Sequence, residues 1–125
     1  DEKIDKFLEK YKDSVVVYNA GVNRIVLQQG LENGVVAQKG DEVTFDYVGS
    51  TFDSAIGNQF DAGSFTAILG KGEMIAGLDK GIEGMKVGER SYILFSCANG
   101  YDTTVAGVSK TSALIFEVML TEVKK

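Results

Sequence analysis

The chain has 125 residues, 44% of them hydrophobic, with a formal net charge of -5 and no histidine, proline or tryptophan. That length makes one domain, able to bury roughly two thirds of its unfolded surface. Its acidity opposes a phosphate backbone and excludes nucleic acid as an expected partner. Without histidine it lacks the usual neutral-pH acid/base and the commonest zinc ligand, and one cysteine, Cys97, makes neither a disulfide nor a metal site.

Residues 1–13, DEKIDKFLEKYKD, read as an amphipathic helix, with Ile4, Phe7, Leu8 and Tyr11 at i, i+3, i+4 and i+7. A helix this short is marginal alone, so its apolar stripe must dock. Docking on its own domain is one expectation; a homodimer or partner contact through residues 1–13 is the other. The pattern then turns to strands. SVVVYN (14–19) and VNRIVLQQ (22–29) are β-branched runs flanking Ala20-Gly21, and Asn33-Gly34 signals a turn. In EVTFDYVGS, Val43, Phe45 and Tyr47 share one face. ERSYILFS (89–96) is a further strand, and in SALIFEVMLTEV (112–123) Leu114, Phe116, Val118 and Leu120 align by alternation. Within this β series only Ala76 to Glu83 reads as helical. The expected domain (14–125) is α+β, an antiparallel sheet around one short helix with the 1–13 helix added.

The most informative stretch is FTAILGKGEMIAGLDKGIEGMKVGE, Phe65 to Glu89, punctuated by Gly70, Gly72, Gly77, Gly81, Gly84 and Gly88. It carries no nucleophile, metal cluster or phosphate cradle. Gly70-Lys71-Gly72 fails as a dinucleotide fingerprint because Ile75 stands where glycine is needed, and as a P-loop because no Lys-Ser/Thr follows. Asp53, Asp61, Glu73 and Asp79 show no spacing that pairs two of them as acid and base, and Cys97 has no histidine to activate it. What is left is an apolar wall, Met74-Ile75 and Leu78, beside the aromatics Tyr47, Phe60, Phe65, Tyr101 and Phe116. That arrangement suggests a binding pocket acting through shape and dryness, with no cofactor and no metal.

From about Gly40 to Val123 the order of segments resembles the FK506-binding-protein (FKBP) family of peptidyl-prolyl cis–trans isomerases. The GDxVxVxYxG opening of that family is matched by Gly40 through Gly49, and its FD pair by Phe60-Asp61. Its glycine-rich core is matched from Phe65 to Glu89, its loop tyrosine by Tyr101, and its closing strand by Ala113 through Leu120. The resemblance implies a twisted sheet of five or six strands curled around the 76–83 helix. It also implies a pocket with Tyr47, Phe60, Asp61, Tyr101 and Phe116 as catalytic residues and Phe65, Met74, Ile75 and Leu78 as substrate-binding residues. The implied activity is isomerisation of X–Pro bonds in proline-containing polypeptides, assisting their folding.

Departures from the family pattern support an alternative, a catalytically weak peptide-binding or chaperone module. Leu78 replaces the usual floor tryptophan, and SAIGNQ, between Asp53 and Phe60, is expected to lengthen one rim. The segment after Tyr101 is short and lacks prolines, with Asp102 after the tyrosine and Val105 and Val108 as its apolar tips. A helical extension before such a domain is similar to family members of the bacterial envelope, periplasmic or held by a lipid anchor. Since no apolar run approaches the roughly 18 residues that span a bilayer, such an anchor is the only membrane link expected. The compartment otherwise stays open.

Overall fold

The computed structural model describes residues 2–100 and 111–125. Helix α1 (Glu2–Leu8) tightens into a 3-10 turn over Glu9–Tyr11. The strands are β1 (Val16–Asn19), β2 (Val22–Gln28), β3 (Glu42–Phe52), β4 (Ile56–Ile68), β5 (Arg90–Phe95) and β6 (Ala113–Lys124), with helix α2 (Ala76–Ile82) between β4 and β5. They form one 6-stranded sheet in the order β1-β2-β5-β6-β3-β4, every neighbouring pair antiparallel. This is the expected α+β architecture, a sheet wrapped on one short helix.

Alternation decides which face each residue meets. Val43, Phe45, Ile93, Phe95, Leu114, Phe116, Val118 and Leu120 are buried on the face that holds α2, with Leu78, Ile82 and Met85 packed on them. Helix and sheet meet closely because Gly77 and Gly81 have no side chain. A Cβ at either would lie within 3.0 Å of Phe95 or Ile93 respectively. Ile25, Phe52, Leu94 and Ile115 point the other way, and there Ile4 and Phe7 of α1 cover them. Phe7 meets Phe52 edge-on at 5.1 Å, and Tyr11 closes on Phe7 at 5.4 Å and Tyr92 at 6.2 Å. The apolar stripe of the first helix is therefore spent on its own sheet. Ile4 and Phe7 are 5% and 4% exposed, and Leu8 and Tyr11 pack partly buried against the same cluster.

Two connections differ from a simple reading of the sequence. Gly34 N–H does close a turn on the Leu31 carbonyl at 2.9 Å, but no hairpin follows. The segment instead crosses to the turn after α2, where Ala37 N–H donates to Met85 O and Gly84 N–H to Ala37 O, both at 2.8 Å. SAIGNQ, expected as a longer rim, largely belongs to β4. From Ile56 the chain pairs with β3 across register shifts at Gly49/Ser50 and Ser50/Phe52, so the extra residues lengthen the β3–β4 hairpin. Ser54, at φ 70°, helps turn it.

Candidate functional site

The concave face of the sheet and α2 enclose a cavity of about 570 Å3. Its lining includes seven of the residues singled out from the sequence: Tyr47, Asp61, Phe65, Met74, Ile75, Leu78 and Phe116. Tyr47 and Phe65 come from β3 and β4, which align Phe45 with Phe65 and Tyr47 with Gly63. Leu78, 7% exposed, rises from the first turn of α2, and Phe116 is buried at 1%. Phe65 stands at the mouth with 42% of its surface exposed.

The aromatic walls form a continuous set. Phe45 contacts Tyr47 at 6.0 Å and Phe65 at 6.2 Å between centroids, and Tyr47 contacts Phe116 at 6.2 Å. Phe95 stacks behind Phe116 at 6.0 Å and 11°. Phe60 does not line the cavity. It meets the edge of Phe116 at 5.8 Å and 86°, where Gly49 makes room for both rings, and so buttresses the wall.

The Tyr47–Asp61 pair and Glu73 bring polar groups to this aromatic lining. The Tyr47 hydroxyl donates to Asp61 Oδ2 at 3.0 Å, while Asp61 Oδ1 accepts the Ala62 N–H at 2.9 Å. Held so, the carboxylate orients a phenol, and the chain has no histidine with which to relay a proton. The loop leading into α2 is tied by side chains too. Asp79 accepts the Gly70 and Gly72 N–H groups at 3.1 and 3.2 Å, and Glu73 accepts that of Ile68 at 2.9 Å. Gly70 and Gly72 have φ 83° and 73°, a left-handed backbone that a side chain would strain. This clasp fixes Met74 and Ile75, and Ile75, at ψ 150°, is the residue from which α2 starts.

Tyr101 lies outside the described residues, as do Asp102, Val105 and Val108. Reasoning from sequence missed Phe45, Gly72, Glu73 and Gly100 as lining residues. Phe45 was within reach, because alternation puts it on the face of Tyr47. Gly100 becomes a wall only through the path of the chain after β5. Among the described residues no group of acidic, histidine or cysteine side chains could hold a metal, and no helix is long and apolar enough to cross a membrane.

An antiparallel sheet closing an aromatic-walled pocket against a short helix is an FKBP-like fold. The comparisons with known proteins agree. The family model for FKBP-type peptidyl-prolyl cis-trans isomerase matches residues 33–121. The chain is 33% identical over 111 residues to FK506-binding protein 1 of Gibberella zeae, covering 82% of this chain and 98% of that protein. It is 32% identical over 116 residues to FK506-binding protein 1 of Aspergillus oryzae, again covering 82% and 98%. FK506-binding protein 2B of Rhizopus delemar is 34% identical over 112 residues, but the chain spans only 53% of its length. A crystal structure of a multi-domain immunophilin from Arabidopsis thaliana superposes with a TM-score of 0.78 over 90% of this chain and 46% of that one; at 22% identity it speaks to fold alone.

The chain belongs to the family of FKBP-type peptidyl-prolyl cis–trans isomerases, and peptidyl-prolyl isomerisation is the activity that membership assigns. The relatives named above are fungal, so they lend no support to a bacterial-envelope placement.

Proposed function

We propose that the cavity between α2 and the sheet is where this chain isomerises X–Pro bonds, and that it works by shape and dryness. Rotation about such a bond faces a barrier of about 18–20 kcal/mol because amide resonance is lost. Uncatalysed it takes tens to hundreds of seconds. The twisted amide is less charge-separated than the planar one, so a water-poor apolar wall favours it over the ground state. Each ~1.36 kcal/mol of that preference is a tenfold gain in rate. No acid, base, metal or cofactor enters the step.

In this reading Leu78 is the floor beneath the proline ring, and Tyr47, Phe65 and Phe116 are its walls, with Met74 beside them. The Ile75 N–H holds one substrate carbonyl and the Tyr101 hydroxyl another. Asp61 orients Tyr47 and receives polar contacts, and Phe60 supports Phe116. The observation that carries the proposal is the joining of Tyr47, Asp61, Phe65, Met74, Ile75, Leu78 and Phe116, distant in sequence, around one cavity of about 570 Å3. The partners are proline-containing polypeptide segments, residues 14–125 are the catalytic unit, and residues 1–13 brace its far face. One observation favours a weaker enzyme: Leu78 offers a smaller floor than an indole, so proline-ring contact is reduced and the chain leans toward peptide binding.

The test is a protease-free isomerisation assay on a short X-Pro peptide with the wild-type chain, Phe60→Ala and Asp61→Val. Turnover should fall by roughly tenfold or more in both variants, the size expected for losing wall support or a hydrogen-bonded orienter. Circular dichroism should show both still folded. Full activity in both would remove the assignment. A folded wild-type chain that binds the peptide without accelerating it would establish the binding module instead.

A further inference from the structure

The turn joining β1 to β2 departs from the usual preference of its residues. Ala20 has φ 49° and Gly21 φ 92°, the left-handed pair that a two-residue hairpin needs. Glycine adopts it readily and alanine does not, so Ala20 persists there only because its surroundings hold it. Those surroundings converge on α2. Asn19 Nδ2 donates to the Lys80 carbonyl at 3.1 Å, and Lys80 Nζ donates to the Ala20 carbonyl at 3.4 Å and to Asn99 Oδ1 at 2.7 Å. Gly21 must lack a side chain for this to close, since a Cβ would lie 2.9 Å from Asn99 Nδ2.

Asn99 is 7% exposed and ends the 3-10 turn Cys97–Asn99. Lys80 follows the pocket floor, Leu78, by two residues, and Asn99 immediately precedes Gly100 in the pocket wall. Each side is also secured separately. Asp79 clasps α2 to Gly70 and Gly72, and the 3-10 turn is closed by Asn99 N–H to Ser96 O and Gly100 N–H to Cys97 O. The Lys80–Asn99 bond links these two separately secured sides next to the cavity.

We infer that Lys80 and Asn99 are positioning residues for the isomerase pocket, setting the gap between Leu78 and Gly100 through a hydrogen bond that the β1–β2 turn holds in place. The inference rests on the cavity being the substrate site. Breaking the bond leaves both anchors intact, so the fold survives while substrate is gripped less well. A change in grip common to ground and transition state raises KM and spares kcat.

The experiment uses the full chain with Asn99→Ala, Lys80→Met, the double variant and Asn99→Asp, whose carboxylate offers Lys80 a charged acceptor. Each is measured for kcat and KM on an X-Pro peptide, for peptide Kd by calorimetry and for thermal midpoint. Asn99→Ala and Lys80→Met should each raise KM and Kd by roughly five- to tenfold with kcat within about twofold. The double variant should be no worse than either single one, and Asn99→Asp should restore wild-type values. Unchanged KM and Kd in folded single variants, or additive effects in the double, would overturn the inference. A wild-type chain that binds peptide without turnover refutes the isomerase reading alone, and the Kd pattern still decides this one. A wild-type chain that neither binds nor turns over peptide overturns both.

Discussion

At the scale of single residues, the pocket is made as much by what is missing as by what is present. Gly77 and Gly81 let α2 settle against Phe95 and Ile93, and Phe95 in turn stacks on Phe116. Gly77→Ala therefore sets two effects against each other. Alanine favours the helix by about 1 kcal/mol, but its Cβ would enter the Phe95 ring, and overpacking of this kind costs about 1–3 kcal/mol or more. Packing should win. Urea denaturation should show a net loss of up to roughly 2 kcal/mol, and turnover should fall as Phe95 pushes on the wall. A stabilised variant would mean that α2 can slide away from β5 without cost. Phe116 shows why activity alone is a poor guide here. At 1% exposure, beside Phe95, Tyr47 and Phe60, it is wall and core at once, and truncating it would cost about 3–5 kcal/mol before any effect on chemistry appeared.

At the scale of elements, the middle of the sheet, where Ile25, Phe52, Leu94 and Ile115 lie opposite the pocket, is buried on both faces, and α1 is the reason. Phe7 is 4% exposed among Phe52, Tyr92 and Tyr11, on the face opposite the pocket. Phe7→Ala should cost about 3–4 kcal/mol, as other buried aromatic truncations do. Its kcat and KM should stay near wild-type values at temperatures where it remains folded. A specific loss of turnover would show that the two faces communicate through the sheet. The same two-sided burial marks how far the sequence could be read. The alternation in 112–123 identified Leu114, Phe116, Val118 and Leu120 as one face, and that face does hold α2. It gave no reason for Ile115 to be buried as well, because that depends on a helix more than 100 residues earlier in the chain. The VVVY run shows the converse. Its β-branched character set the strand, yet Val15, Val16, Val17 and Tyr18 are all exposed at the sheet's edge, since strand propensity carries no information about strand order. The site was legible where local spacing fixed it, from Gly70 to Leu78. Phe60's place behind the wall was not, because it follows from register shifts between β3 and β4.

At the scale of the whole molecule, the ends of the chain and its two faces leave a mark on stability at both extremes of pH. Lys125 Nζ donates to Asp41 Oδ2 at 2.7 Å and to the Val36 carbonyl at 3.0 Å, pinning the crossing segment before β3 to the end of β6. That bond first, and the Gln38 N–H second, hold the Asp41 carboxyl below its ordinary range. A depressed carboxylate stabilises the fold above its unfolded value, near 3.9, and that contribution fades as pH falls through the folded value. Tyr92 acts in the opposite sense. Burial under α1, with Tyr11 and Glu117 nearby, pushes its phenol up. Its contribution is complete below the unfolded value, near 10, and is lost as pH rises through the folded one. Urea midpoints measured from acid to alkaline pH should thus fall at both ends for the wild-type chain. Lys125→Met should flatten the acid arm and leave the alkaline arm alone, while Tyr92→Phe should do the reverse. An acid arm equally steep without Lys125 would mean that the carboxylates responsible lie elsewhere, and that the tie from Asp41 to the last residue of the chain contributes nothing to holding β3 and β6 in register.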